Sequence, residues 1–215
     1  MPYVFLVMML VGVVVMVQIG LLTVAFDKLG LSAEAGFLLL LGSLAGSVVN
    51  LPLFSITSDP PPPGLLEQYR RRSLLLPPNF RPGRTLIMVN VGGCVIPVFF
   101  CLYLLRNAEV GWNEVILGCL LVTLLCRIVS RPIQGMGIAL PLFIAPVAAA
   151  VVGVTLEPDV SAPLAYICGT LGVLIGADLL RLDDIRRMGA PMASIGGAGT
   201  YDGIFITGIV AALLA

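Results

Sequence analysis

Apolar residues fill this chain in blocks that are separated by short polar segments. The blocks cover residues 3–26, 32–55, 85–105, 112–129, 137–156, 162–180 and 198–215. A helix that crosses the hydrocarbon core of a bilayer needs about 20 consecutive, mostly apolar residues. The pattern therefore predicts an all-α transmembrane bundle of about seven spans, which forms a single domain over residues 1–215.

The basic residues predict the orientation of these spans. Only Lys28 and Arg106 lie in the segments after the first, third and fifth blocks. The segments after the second, fourth and sixth blocks carry the other ten: Arg70, Arg71, Arg72, Arg81, Arg84, Arg127, Arg131, Arg181, Arg186 and Arg187. Because Lys and Arg accumulate on the cytoplasmic side, we expect a multi-pass protein of the inner (cytoplasmic) membrane with a cytoplasmic N-terminus.

The longest polar segment, residues 56–84, is expected to be a cytoplasmic loop rich in proline and arginine. It contains four consecutive prolines, 60–63, followed by the run Arg70-Arg71-Arg72. Proline removes backbone donors and disfavours a regular helix. The three arginines are either ordinary cytoplasmic anchors or contacts for anionic headgroups, so membrane lipid is the first expected partner.

Charge and residue types exclude several functions. The net charge is zero, so nucleic-acid binding is not expected. The chain has no histidine, which excludes Ser-His-Asp and Cys-His catalysis and most zinc sites. Its five cysteines lie in apolar blocks without a CxxC pair, as buried reduced thiols do. We expect neither a metal nor a cofactor, and the oligomeric state stays open.

Two aspartates fall inside apolar blocks at similar depth. Asp178 comes just before the cytoplasmic end of the sixth block, and Asp202 comes near the cytoplasmic start of the seventh. A carboxylate in a membrane span is costly and is therefore a functional hypothesis by default. Two carboxylates that share a poorly hydrated site share a proton, which is how an aspartyl dyad activates water. The alternative is that each aspartate caps a helix or pairs with an arginine such as Arg181 or Arg186.

Other residues are expected to shape the same layer. Asn50 and Asn90 lie near the cytoplasmic ends of the second and third blocks, where amides hydrogen-bond across helices. Glycines around the aspartates permit close helix approach or an unwound backbone. The residues expected to surround the dyad are thus Asn50, Asn90, Gly176, Gly199, Tyr201 and Gly203. Residues 41–46 and 171–176 match at four of six positions, which hints at a repeat of spans two and three in spans six and seven.

Longer stretches carry two resemblances. The sequences APLAYICGTLGVLIGADLL (162–180) and GAPMASIGGAGTYDGIFITGIVAALLA (189–215), with NVGGCVIP (90–97) and RPIQGMGIALP (131–141), resemble an uncharacterised prokaryotic family of small multi-spanning proteins. That resemblance implies a fold and no activity. Tyr201-Asp202, with Gly199 three residues before the aspartate, is distantly similar to the GxGD-type intramembrane aspartyl proteases. Their Tyr-Asp and Gly-x-Gly-Asp motifs are only partly matched, because Asp178 follows Gly-Ala and the motif order is reversed.

The leading hypothesis is an intramembrane aspartyl-type hydrolase, a protease acting on transmembrane peptides, with Asp178 and Asp202 as general base and acid. The alternatives are a small proton- or cation-coupled transporter and a structural membrane protein without catalysis. A titratable pair within reach of one water favours hydrolysis. A polar path to the outer face favours transport, and separate aspartates paired to arginines favour a structural role.

Overall fold

A computed structural model describes residues 2–60, 64, 83–133, 137–197 and 203–215, with the backbone alone for 2–10, 12–14 and 203. Most of these residues are helical. The helices are α1 (Pro2–Lys28), α2 (Ala33–Gly46), α3 (Ile96–Asn107), α4 (Trp112–Val129), α5 (Ile144–Leu156), α6 (Ser161–Val173), α7 (Leu182–Met188) and α8 (Gly203–Leu214). The strands are β1 (Asn50–Thr57), β2 (Arg84–Asn90), β3 (Arg131–Ile133), β4 (Gly137–Ala139) and β5 (Met192–Ile195).

Helix α6 is the centre of the helical core, and nearly all of its residues are buried. Small residues bring its neighbours close, as is usual for helices that pack within a membrane. A Cβ added at Gly172 would lie 2.6 Å from Val122 Cγ1 of α4. Gly169 faces Ala149 of α5 on one side and Thr207 of α8 on the other. Helices α4 and α5 also carry exposed apolar side chains, and these lie on the faces that point away from α6.

By length and composition, two or three segments could cross a membrane. Trp112–Val129 has 18 residues, and the continuous helical stretch Pro158–Met188 has 31. The pair Val15–Lys28 and Ala33–Gly46, bent by 105°, makes a third if it is one broken span. Shorter apolar helices cover Val91–Asn107, Ile144–Leu156 and Ile204–Leu214. These segments indicate a membrane protein, but the described residues contain fewer long spans than the seven that the sequence predicts.

Three strands correct the all-helical expectation. Strand β1 pairs antiparallel with β2, and β2 pairs in parallel with β5, in the order β1-β2-β5. The predicted second and third spans, 32–55 and 85–105, are therefore each part helix and part strand. Pro52 disfavours a continuing helix in β1, and Thr85 and Ile87 of β2 are both buried with period-2 spacing. A second small sheet joins β3, in the segment before the predicted fifth span, to β4 at the start of that span.

Irregular helical turns interrupt two of the predicted spans. A π-helical turn, Val91–Val95, links β2 to α3. Another, Leu174–Asp178, follows α6 and leads through the 3₁₀ turn Leu179–Arg181 into α7. Such π turns are rare and occur frequently at functional sites.

Candidate functional site

Asp178 is the last residue of the π turn that follows the central helix. Its Oδ2 accepts a hydrogen bond from the backbone N–H of Gly196 at 2.8 Å. Gly196 directly follows strand β5, so this bond joins the central helix to the sheet. The side chain of Asp178 is partly buried, and a partly buried carboxylate needs such donors to offset its lost hydration.

Glycine is required at position 196 for two separate reasons. Its φ of +83° lies in the left-handed region, which side chains with a Cβ rarely adopt. A Cβ added there would also lie 2.6 Å from Cys94 Cβ and 2.7 Å from Cys94 N. The backbone of β5 therefore turns against the π turn that begins α3, and this contact aims the Gly196 N–H at Asp178.

The hydrogen-bond pattern places that N–H on the edge of β5 opposite β2. Leu86 N donates to Pro191 O at 3.1 Å, and the register pairs Val89 with Ile195. Because backbone groups alternate along a strand, positions 191, 193 and 195 point to β2, whereas 192, 194 and 196 point away. Within the described ranges, β5 pairs with β2 alone. Asp178 thus lies at the end of a strand edge.

An amide pair connects all three strands beside this edge. Asn90, which is 1% exposed, donates from Nδ2 to Ser47 O at 2.6 Å and to Asn50 Oδ1 at 3.1 Å. Its Oδ1 accepts from Gly93 N at 2.7 Å. Ser194 of β5 donates from Oγ to the same Asn50 Oδ1 at 2.5 Å. The network therefore fixes the strand ends relative to one another.

The start of α3 is held from two sides by close backbone contacts. Ser43 Oγ of α2 donates to Gly92 O at 2.6 Å. A Cβ added at Gly92 would collide with Ser43 O, and one added at Gly93 would collide with Gly196 O. Only glycine allows these approaches. The turn capped by Asn90 is thereby pressed against the residue that binds Asp178.

Arg181 anchors the irregular backbone three residues after Asp178. Its guanidinium donates to Ser130 Oγ at 3.0 Å and to the carbonyl oxygens of Arg127 and Ser130 at the end of α4. It also forms an ion pair with Asp184 Oδ2 at 2.8 Å. Carbonyls at a helix C-terminus attract cations, and the planar fork of arginine reaches several acceptors at once. The guanidinium of Arg181 is therefore bound to the end of α4 and to Asp184.

The structure places the sequence-predicted residues as follows. Asn50 and Asn90 are hydrogen-bonded to each other, but from strands β1 and β2 and not across helices. Gly176 faces α4, where an added Cβ would collide with Thr123 O. Gly203 begins α8. Asp202, Gly199 and Tyr201 lie outside the described residues, so the distance between the two carboxyl groups stays untested.

Sequence reasoning missed Ser194 and placed Gly196 only among the glycines around Asp202, because the roles of both residues depend on contacts with residues distant in sequence. The glycine pair Gly196-Gly197 after a short β-prone stretch was the one available signal. Over the part of the chain that the structure describes, no group of three or more His, Cys, Asp or Glu side chains could hold a metal ion. The five cysteines are free thiols.

Comparison with known proteins gives a family for the chain. The family described as "Protein of unknown function (DUF1614)" matches residues 44–214, and the chain belongs to it. The matched region runs from the end of α2 through α8 and includes the sheet and Asp178. No curated protein and no solved structure matches the chain.

Proposed function

We propose that this member of the DUF1614 family is an intramembrane aspartyl-type hydrolase, a protease, in which Asp178 and Asp202 form the catalytic pair. The observation that carries the proposal is the bond from Gly196 N–H to Asp178 Oδ2, which sets a carboxylate at the end of a strand edge. Asp202 directly precedes Gly203, the first residue of α8. Helix α8 packs beside α6, the helix that leads to Asp178.

The packing of α6 against α8 supports a dyad at one depth. Gly169 contacts Thr207, whereas Ser161 Oγ at the start of α6 donates to Ala215 O after the end of α8 at 3.1 Å, so the two helices run antiparallel. Moving along α8 toward its start at Gly203 therefore corresponds to moving along α6 toward Asp178. In the proposed reaction one carboxylate takes a proton from water as the water attacks the peptide carbonyl carbon. The other carboxyl group donates a proton to the carbonyl oxygen.

The strand edge of β5 favours an extended peptide as the substrate. The backbone groups of Met192 and the N–H of Ser194 point to the edge opposite β2, on the same side as the Gly196 N–H that donates to Asp178, while the Ser194 carbonyl accepts from Gly197 N at 3.3 Å. A peptide that adds to a strand edge gains main-chain hydrogen bonds that do not depend on its sequence. A transmembrane segment would have to unwind locally to bind in this way.

Packing in the outer half of the bundle favours hydrolysis over transport. Leu164, Ala165 and Ile167 of α6 are fully buried there. A transporter needs a polar path that continues from the aspartates to the outer face. These apolar side chains disfavour such a path, although the hydroxyl groups of Thr170 and Thr207 are buried beside them. The commitment of Arg181 to α4 also disfavours the structural alternative in which it neutralises Asp178.

The finer topology remains part of the proposal: seven crossings in the inner membrane with the N-terminus cytoplasmic. The ten-to-two distribution of basic residues supports it. The shorter apolar helices would then cross together with the irregular turns and strands beside them, which is tolerated where the backbone is buried by protein. A reporter fused after Ala215 should be accessible from outside. Access only from the cytoplasm would refute this orientation.

Cleavage by the purified full chain in vesicles tests the hydrolase. A panel of single-span peptides serves as substrate, and mass spectrometry locates any cut. Asp178→Asn and Asp202→Asn should each abolish cleavage, because the amide keeps the shape but cannot exchange the proton. Asp159→Asn, on an exposed turn before α6, is the matched control and should leave cleavage unchanged. Cleavage that persists in either of the first two variants would refute the assignment.

A further inference from the structure

A polar cavity of about 460 Å³ lies between the end of β1 and helix α7, away from the amide network. It is lined by Thr57, Ser58, Asp59, Asp183, Arg186 and Arg187. These residues stand at the charged end of the candidate span Pro158–Met188. A charged end of a span is where lipid headgroups contact a membrane protein.

The walls of this cavity are fixed by backbone contacts and by one hydrogen bond from the Arg186 guanidinium. Asp59 N donates to Arg186 O at 3.0 Å, and Arg186 Nε donates to Thr57 O at 2.9 Å. The chain at Pro60 packs so closely on Gly189 that an added Cβ there would lie 2.7 Å from Pro60 O. These contacts therefore hold β1 against α7.

The charges that line the cavity are balanced but incompletely paired. Arg186 Nη1 lies 3.7 Å from Asp183 Oδ1, a loose pair with an open face. Across the described ranges, no ion pair joins either Asp59 or Arg187 to another charged side chain. Among the described residues, the cavity thus offers one carboxylate and one guanidinium without an ion pair, together with the polar groups of Ser58.

We propose that this cavity binds the zwitterionic headgroup of phosphatidylethanolamine. Its ammonium would lie between Asp59 and Asp183, and its phosphate would contact Arg187. A lining with two charges of each sign favours a ligand that carries both signs over a purely anionic one. Phosphatidylglycerol has no ammonium for the carboxylates. Phosphatidylcholine has one without N–H donors, so it cannot form charge-assisted hydrogen bonds with them.

Native mass spectrometry of the purified full chain tests the proposal. The protein is mixed with equal amounts of phosphatidylethanolamine, phosphatidylcholine and phosphatidylglycerol that carry the same acyl chains. We expect phosphatidylethanolamine to be retained over each of the others by roughly threefold, the scale for one exposed ion pair. Equal retention of all three lipids, or a preference for phosphatidylglycerol, would overturn the proposal.

Variants assign the preference to the cavity. Asp59→Asn should remove the discrimination against phosphatidylcholine, and Arg187→Gln should lower retention of phosphatidylethanolamine. Arg106→Gln, an exposed arginine at the end of α3, should change neither. Asp183→Asn replaces Asp59→Asn if circular dichroism shows that the latter is unfolded. A preference that survives loss of the carboxylate would place the lipid elsewhere and refute the site.

Discussion

The backbone N–H of Gly196 donates to Oδ2 of Asp178 at 2.8 Å and so joins the end of a parallel strand to the irregular end of the central helix. Eighteen residues separate the two positions in sequence, with helix α7 and strand β5 between them. The sheet therefore orients one oxygen of this carboxylate. Any change that moves the sheet relative to α6 should also move Asp178.

Gly196→Ala should destabilise the protein by about 1–3 kcal/mol, the cost of a residue held in a sparsely populated backbone conformation. Crowding against Cys94 adds to this cost. Gly42→Ala is the control, because an added Cβ at Gly42 meets nothing within 4 Å and alanine favours a helix over glycine by up to about 1 kcal/mol. Reversible unfolding in mixed micelles measures both variants. Equal effects would contradict the conformation assigned to Gly196.

Asn90→Ala should cost about 2–4 kcal/mol, because it leaves the buried Gly93 N–H and Ser47 carbonyl without their partner. Asn107→Ala is the matched control. Asn107 is exposed and donates only to Tyr103 O within its own helix, so its loss should cost less than about 1 kcal/mol. The same unfolding assay compares the two. A small effect at Asn90 would show that the amide pair does not hold the strand ends.

Arg181→Lys should lower the unfolding midpoint although it keeps the charge. An ammonium cannot reproduce the fork that contacts Ser130 Oγ, two carbonyl oxygens and Asp184 at once. We expect a loss of about 1–3 kcal/mol, since buried acceptors become unsatisfied. Arg106→Lys, at an exposed position, should change the midpoint little. An unchanged midpoint for Arg181→Lys would remove the anchor described for the turn after Asp178.

Thiol reactivity tests whether water reaches the region around Asp178 and Gly196. Cys94 is 9% exposed and borders Gly196, whereas Cys101 is 1% exposed and lies one to two turns further along α3. In variants that retain a single cysteine, a small polar methanethiosulfonate should react severalfold faster with Cys94 than with Cys101, because such reagents need an aqueous path. Comparable slow rates at both positions would indicate a dry layer and count against a hydrolytic water.

The sequence predicted the helices better than the sheet. Blocks of hydrophobicity located α1 and α4 to within about two residues, since these helices are long and uninterrupted. The same blocks did not reveal β1 and β2, because the apolar residues of these strands are continuous in sequence with those of α2 and α3. Pairing between β2 and β5 joins positions about 100 residues apart, and no local pattern encodes such a contact.

The candidate site was predictable only in part, for a related reason. A carboxylate in an apolar block is visible in the sequence, and so is an asparagine at the end of one. The role of Gly196 is not visible, because it arises from the contact of its backbone with Cys94 and Gly93. The role of Ser194 likewise depends on its hydrogen bond to Asn50, which lies far away in sequence. Residues whose roles depend on tertiary contacts, such as these two, show no recognisable pattern in the local sequence.

Proximity of positions 178 and 202 is the central claim, and cross-linking measures it most directly. In a background without the five native cysteines, Asp178→Cys and Asp202→Cys are combined in one chain. Carboxyl groups that share a water place their Cα atoms within about 10 Å, a separation that a short bifunctional reagent bridges, whereas a direct disulfide forms only if the Cα atoms are about 4.4–6.8 Å apart. A short bis-methanethiosulfonate should therefore link them in high yield. Asp178→Cys with Asp159→Cys is the control, because 19 residues of helix separate these positions by about 28 Å. If the first pair fails to link even with reagents that span about 10 Å, the two carboxyls cannot share one water and the hydrolase account is wrong.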